Sequence, residues 1–95
     1  MKVELAAEAE EQILRVDEWW REHRSAAPDL FSAELQEALQ ALARGPGIGV
    51  NYAAVPGVRR MLLRRTRYHL YFVTEPARVL VLAVWSARRG RGPRM

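Results

Sequence analysis

The sequence contains no cysteine, a single lysine and only one acidic residue after position 50. Without cysteine it has no disulfide framework, no thiol nucleophile and no thiolate metal site, which fits a reducing cytoplasm. Its longest apolar run, Val79–Trp85, is far too short to cross a bilayer. Glu4 and Glu8 stand where a secretory signal has its apolar segment, so we expect no such signal. These absences predict a soluble cytoplasmic protein without a membrane partner.

The charges are divided unequally between the two halves of the chain. Residues 1–50 carry five basic and ten acidic side chains, whereas residues 51–95 carry ten arginines and one acid, Glu75. This asymmetry predicts that the basic half binds a polyanion or an acidic protein segment. The two histidines, His23 and His69, have no cluster of acids beside them in the sequence, so we expect neither a metal site nor a cofactor.

Hydrophobic periodicity predicts one domain over residues 1–87 that begins with a strand and two helices. Lys2–Leu5 alternates like a short strand, and apolar residues then recur at three- and four-residue steps in two stretches. The two stripes are Ala6, Ala9, Ile13, Val16 and Trp20, then Phe31, Leu35, Ala38, Leu39 and Leu42. Pro28 favours the start of the second helix, and Gly45–Gly47 ends it. The short connector predicts an antiparallel helical hairpin.

The second half predicts a three-stranded antiparallel meander, because three short runs are rich in β-branched, aliphatic and aromatic residues. These runs are Gly57–Leu63, Tyr68–Val73 and Val79–Trp85. The predicted fold is therefore α+β, in the order β-α-α-β-β-β, with the helices packed on one face of a mainly antiparallel four-stranded sheet. Ile48–Pro56 is predicted to be a loop. Residues 88–95, which are basic and have no apolar anchor, are predicted to be a flexible tail.

Alternation assigns the meander residues to two faces of the sheet. If Arg64–Arg67 is the first turn, Leu63 pairs with Tyr68. The face predicted to receive the helices carries Met61, Leu63, Tyr68, Leu70, Phe72, Leu80, Leu82 and Val84. The opposite, open face is predicted to carry Arg60, Leu62, His69, Tyr71, Val81, Ala83 and Trp85. A register shift of one residue exchanges the members from the third run.

Several short motifs occur in a fixed order along these elements, among them Pro46-x-x-Gly49 and Tyr68-x-x-Tyr71. The full set is Ala9 and Ile13, Phe31, Leu35, Ala38 and Leu42, Pro46 and Gly49, Gly57–Arg60, Tyr68–Tyr71, and Val84 with Arg88 and Arg89. In this order and at this spacing the chain resembles the RelE/ParE superfamily of toxins from type II toxin–antitoxin systems. The resemblance covers nearly the whole chain.

The resemblance implies a cognate antitoxin with an acidic amphipathic segment, no cofactor, and one of two activities. RelE-like members cut messenger RNA on the ribosome without a metal, whereas ParE-like members inhibit DNA gyrase. For a RelE-like enzyme, the implied catalytic residues are Arg60, His69, Tyr71, Arg88 and Arg89. Leu62 replaces a second basic residue of that set, and neither His nor Tyr follows Trp85. We therefore favour the ParE-like activity, and whether the protein is an enzyme stays open.

Some of the same residues have simpler interpretations. The predicted partner-binding residues are Arg59, Arg64, Arg65, Arg67 and Trp85, but charges in a hairpin turn are commonly only solvated. His69 is either a proton-transfer group or a structural strand residue. The pair Trp19–Trp20 is better explained by helix packing than by base stacking. A third hypothesis is a basic nucleic-acid-binding module that is not toxic.

Overall fold

The computed structural model describes residues 1–95 apart from the side chain of Pro46, so that part of the Pro46-x-x-Gly49 motif lies outside the description. Its elements are β1 (Lys2–Leu5), α1 (Ala7–His23), α2 (Leu30–Arg44), a 3₁₀ turn (Pro46–Ile48), β2 (Val50–Asn51), β3 (Arg59–Leu63), β4 (Tyr68–Thr74) and β5 (Arg78–Ser86). The predicted α+β class and the predicted order of helices and meander strands are confirmed.

The sheet has five strands rather than the predicted four, in the order β1-β5-β4-β3-β2. The additional strand, β2, lies in the segment predicted to be a loop, and Val50 and Asn51 pair antiparallel with Arg60 and Arg59 of β3. Two residues are too few to show alternation, so the sequence pattern did not indicate this strand. At the opposite edge β1 runs parallel to β5, which makes the sheet mixed.

Both helices pack on the same face of the sheet, as predicted. Their buried side chains form one core with residues of β3, β4 and β5. The core consists of Ala9, Trp20, Phe31, Leu35, Ala38, Leu42, Leu63, Leu70, Phe72, Val79, Val81 and Val84. Burying a side chain the size of Phe31 or Leu42 contributes about 1.5–3 kcal/mol, so this face accounts for most of the apolar stabilisation. The opposite face stays free of helices.

A β-bulge between β4 and β5 changes which side chains face the helices. The β3–β4 register is the predicted one, with Leu63 opposite Tyr68. On β5, however, Ala83 pairs with Tyr71 and Val81 pairs with Phe72, which leaves Leu82 as an extra residue.

The bulge makes three predicted positions wrong. Val81 lies in the core under the helices, whereas Leu82 packs on the open face. Leu80 pairs with Val73, which also packs on the open face. Val84, beyond the bulge, faces the helices as predicted. One inserted residue reverses the alternation of the strand on one side of it.

Just beyond the bulge, β5 is tied to α1 by Gln12, a residue that the sequence pattern did not single out. The backbone N–H of Val84 donates a hydrogen bond to Gln12 Oε1 at 2.8 Å, and Gln12 is only 9% exposed. A buried N–H without an acceptor costs about 1–3 kcal/mol, so the Gln12 side chain stabilises the irregular strand.

Among the described residues, no helix has the length and apolar character needed to cross a membrane. Within the same residues, no three His, Asp or Glu side chains are grouped as metal ligands.

Candidate functional site

A second, smaller apolar cluster covers part of the open face and is centred on Tyr71, which is 1% exposed. Val58 and Ala83 are buried beside it. Tyr52, from the loop after β2, packs its ring edge-on against that of Tyr71, with 4.9 Å between the ring centroids. The loop between β2 and β3 therefore folds onto this face.

Arg60 is held against these two tyrosines. Its guanidinium carbon lies 5.2 Å from the centre of the Tyr52 ring, and its Nη1 donates a hydrogen bond to the Tyr71 hydroxyl at 3.4 Å. A cation over an aromatic face is attracted by the ring quadrupole, so this arrangement restrains the side chain. Because Tyr71 is buried, its hydroxyl interacts with Arg60 of the same chain.

His69 lies on the same face, beside a cavity of about 390 Å³ that Arg60, Leu62 and Arg64 also line. Burial lowers the pKa of His69, and the positive charges of Arg60 and Arg67 lower it further. These effects favour the neutral imidazole, the form that accepts a proton. Its ring centroid lies 6.0 Å from that of Tyr71.

The chain after β5 turns back across the open face, and we call residues 88–95 the C-terminal strap. Trp85 Nε1 donates a hydrogen bond to the carbonyl of Arg91 at 3.0 Å, and the Arg89 guanidinium lies 4.5 Å from the centre of the Trp85 ring. Gly92 lies against the hydroxyls of Tyr52 and Tyr71, and Pro93 is buried. Glycine and proline contacts carry no periodic signal, so the sequence did not indicate them; the flexibility of the strap stays a prediction.

Two further arginines of the basic half are used within the fold. Arg59 donates to Asn51 Oδ1 at 3.1 Å and to the carbonyls of Gly47 and Gly49, so it holds the loop that leads into β2. Arg78 forms ion pairs with Glu4 and Glu75 at the start of β5. Arg59, one of the predicted partner-binding residues, is thus engaged by its own chain.

The Arg64–Arg67 turn is fixed from α2 by the carboxylate of Glu34. Glu34 Oε2 accepts a hydrogen bond from the Arg65 N–H at 2.7 Å. Glu34 Oε1 accepts from the Thr66 N–H at 3.0 Å and from the Thr66 hydroxyl at 2.6 Å. Burial raises the pKa of Glu34, but these hydrogen bonds outweigh it and the net shift is downward.

The strap begins beside this turn, because the Ala87 N–H donates a hydrogen bond to the Arg67 carbonyl at 2.8 Å. The arginines of both segments are exposed and lie at one end of the sheet. We call this set the basic end; it consists of Arg64, Arg65, Arg67, Arg88 and Arg89. Within it, Arg67 has the left-handed backbone conformation, with φ 67°.

The outer surface of the helical hairpin carries an apolar groove of about 420 Å³ between α1 and α2. Ile13, Leu14 and Leu39 are among the residues that line it. Leu14 is 64% exposed although it is a large apolar residue. We call this surface the helix groove.

Residues 3–90 match the sequence profile of a family described as "ParE toxin of type II toxin-antitoxin system, parDE". The chain belongs to the ParE toxin family. The RelE/ParE resemblance is thereby confirmed, and the match lies on its ParE side. This ParE-family chain is also similar to a solved structure titled "Chromosomal ParDE TA system from P. aeruginosa".

That similarity extends over 93% of this chain and 97% of the other, with a TM-score of 0.75 and 16% sequence identity. At this identity the likeness shows a shared fold. None of the curated proteins matches the ParE-family chain in sequence.

The structure divides the predicted site residues of this ParE-family toxin into two places. Arg60, His69 and Tyr71 share the open face, whereas Arg88 and Arg89 lie at the end of β5 beside the Arg64–Arg67 turn. Trp85 joins the two places, because it pairs with His69 and contacts the strap. A catalytic role for any of them stays a prediction.

Proposed function

We propose that this ParE-family toxin arrests growth by inhibiting DNA gyrase and that a cognate antitoxin neutralises it. The observation that carries the proposal is the match to the ParE toxin profile over residues 3–90, which is nearly the whole chain. The similar solved structure is titled as a ParDE toxin–antitoxin system, which supports an antitoxin as the partner.

The helix groove supports the same partner. An amphipathic segment of an antitoxin buries its apolar side in a groove of this kind through anchors spaced along a helix. Leu14, which is 64% exposed, adds a large apolar side chain to the lining of this groove. We therefore propose that the antitoxin binds the helices, which differs from the sequence prediction that the partner binds the arginines of the basic half.

The second function, messenger RNA cleavage on the ribosome, is favoured by one observation. His69 lines one cavity with Arg60 and Arg64, which puts a proton acceptor beside cations of the kind that stabilise a scissile phosphate. Two observations weigh against it. Tyr71 is 1% exposed and its hydroxyl accepts from Arg60, and neither His nor Tyr follows Trp85 as a donor to the leaving oxygen.

The two functions separate in one experiment with purified toxin and with induced cells. We expect the toxin to block DNA supercoiling by gyrase, to leave messenger RNA uncut after induction, and to lose its effect when its antitoxin is added. We also expect Arg60→Ala combined with His69→Ala to keep gyrase inhibition if the protein remains folded. Cut messages in the induced cells, together with unimpaired supercoiling, contradict the proposal and support the nuclease.

A further inference from the structure

We infer that the basic end is a binding site for the phosphate backbone of duplex DNA, so that the toxin contacts DNA directly. Five exposed arginines lie together there, in the turn between β3 and β4 and at the start of the strap. Guanidinium groups match phosphate geometry and contact it bidentately. The choice of DNA over RNA rests on the proposed function, since gyrase acts on DNA.

The turn is held in one conformation before any partner arrives. The Glu34 carboxylate accepts three hydrogen bonds from Arg65 and Thr66, with lengths of 2.6–3.0 Å. Thr66 is buried between the exposed arginines on either side of it. A preorganised turn loses less conformational entropy on binding than a mobile one, so its arginines contribute more of their phosphate contacts to affinity.

The backbone of Arg67 closes the turn. Its φ of 67° is left-handed, as is common at the end of a hairpin loop, and its N–H donates to the Leu63 carbonyl at 2.8 Å. The exposed Arg67 side chain therefore leaves the turn next to the start of the strap.

The surface chemistry favours a phosphate backbone over an acidic protein segment. The exposed large apolar residues of the described chain are Met1, Leu14, Trp19, Ile48, Val50 and Met95. Trp19 lines a cavity with Arg89, and Ile48 and Val50 line another with Arg64, so these three residues border the basic end. Phosphate-backbone contacts are made largely by Arg and Lys, whereas protein partners are held mainly by buried apolar and aromatic anchors. The density of arginines at the basic end therefore favours a phosphate backbone.

The test measures binding of the full-length toxin to a fluorescent duplex of about 20 base pairs between about 50 and 200 mM salt. The double variant Arg64→Gln with Arg67→Gln removes two cations from the basic end. Its matched control, Lys2→Gln with Arg21→Gln, removes two exposed cations that form ion pairs with Glu4 and Asp17. Circular dichroism checks that both variants are folded.

We expect the basic-end variant to bind DNA about tenfold or more weakly, with the slope of log K against log salt lower by about two. The control variant stays within about twofold of the unsubstituted toxin, because its charges lie outside the site. Arg64→Lys with Arg67→Lys keeps the charge and therefore most of the salt slope. Equal losses in the basic-end and control variants overturn the inference, because the effect is then one of net charge only.

Two further arms identify the partner. Tighter binding to an RNA duplex of the same length overturns the assignment to DNA. A basic-end variant that binds DNA normally but loses affinity for the antitoxin also overturns it, in favour of an acidic protein.

Gyrase inhibition is measured in parallel. A toxin that binds DNA through the basic end without inhibiting gyrase contradicts the proposed function alone. A toxin that inhibits gyrase while its variant binds DNA like the control contradicts this inference alone.

Discussion

At the scale of single residues, Gly49 shows why the chain needs a glycine where it enters β2. Gly49 is buried where the loop enters β2, and a Cβ there would lie 2.7 Å from Phe72 Cζ and 2.9 Å from the Arg60 carbonyl oxygen. Only glycine lets the loop approach the sheet this closely, because any other side chain displaces a core aromatic or a strand. The arginine opposite, Arg59, then holds the loop through its carbonyls.

Gly49→Ala should therefore destabilise the protein by about 1–3 kcal/mol, since the added methyl group overpacks the Phe72 ring. Thermal unfolding measures it, with an expected fall of about 4–8 °C in Tm for each kcal/mol in a chain of this size. Gly47→Ala is the matched control, because a Cβ at position 47 meets nothing within 4 Å. Equal Tm values for the two variants would show that the loop moves freely away from the sheet.

The carboxylate of Glu34 stabilises the Arg64–Arg67 turn by accepting three hydrogen bonds. We expect Glu34→Gln to unfold about 1–2 kcal/mol more easily at pH 7, because one amide oxygen replaces two carboxylate oxygens that accept three hydrogen bonds. The exposed Glu37, one turn further along α2, provides the control Glu37→Gln, with an expected change within about 0.5 kcal/mol.

The pH dependence of this effect has a definite sign. The pKa of Glu34 is lowered in the folded protein, so its charge stabilises the fold above the unfolded-state pKa near 4.5 and loses that effect as the pH falls through the folded-state value. Urea unfolding from pH 7 to pH 3 should show the difference between the original protein and Glu34→Gln shrinking below about pH 4.5. A difference that stays constant to pH 3 would contradict the role of the carboxylate.

At the scale of elements, the strap and the open face stabilise each other through a few specific contacts. Gly92 sits against the hydroxyls of Tyr52 and Tyr71, and the Trp85 indole donates to the Arg91 carbonyl. The first contact involves Tyr52 and Tyr71, which also hold Arg60. The order of the strap therefore decides how much of the open face is accessible to a partner.

Gly92→Ala should loosen the strap, because its methyl group would overlap the Tyr52 hydroxyl and come 3.3 Å from that of Tyr71. We expect faster hydrogen exchange at the Trp85 indole and across residues 88–95, with little change in global stability. Gly90→Ala, whose Cβ meets nothing within 4 Å, should exchange like the original protein. Rapid exchange in all three proteins would show a strap that is flexible in solution.

At the scale of the whole molecule, the two halves of the chain provide two surfaces of different chemistry. The first half forms the helices and the apolar helix groove, and the second half forms the open face and the basic end. The proposed antitoxin and the proposed target are thereby assigned to different surfaces. This separation also predicts that substitutions on one surface leave the function of the other intact.

Leu14→Asp tests this independence. We expect it to weaken antitoxin binding by about tenfold or more, because it places a charge among the apolar anchors of the helix groove, while gyrase inhibition by the free toxin stays unchanged. Calorimetry measures the first effect and a supercoiling assay the second. Val50→Asp makes the same change at a residue that is 63% exposed on the edge strand, and it should bind the antitoxin normally. Equal losses would place the antitoxin elsewhere.

The sequence by itself determined the features that depend on near neighbours in the chain. The helices, the three meander strands and the pairing of Leu63 with Tyr68 all follow from periodicity and turn residues within a few positions. The family follows from motifs in the same local order. These patterns can be read from the sequence because each is repeated several times along an element.

Only the tertiary structure decided which backbone groups find distant partners. The Val84 N–H, just beyond the bulge, finds its acceptor in Gln12, 72 positions earlier, and the turn of the basic end is held by Glu34, 31 positions before Arg65. The strap is held by a glycine, a proline and one indole, none of which forms a pattern. Such single long-range contacts leave no periodic trace, because each is made once and only after the sheet and helices have come together.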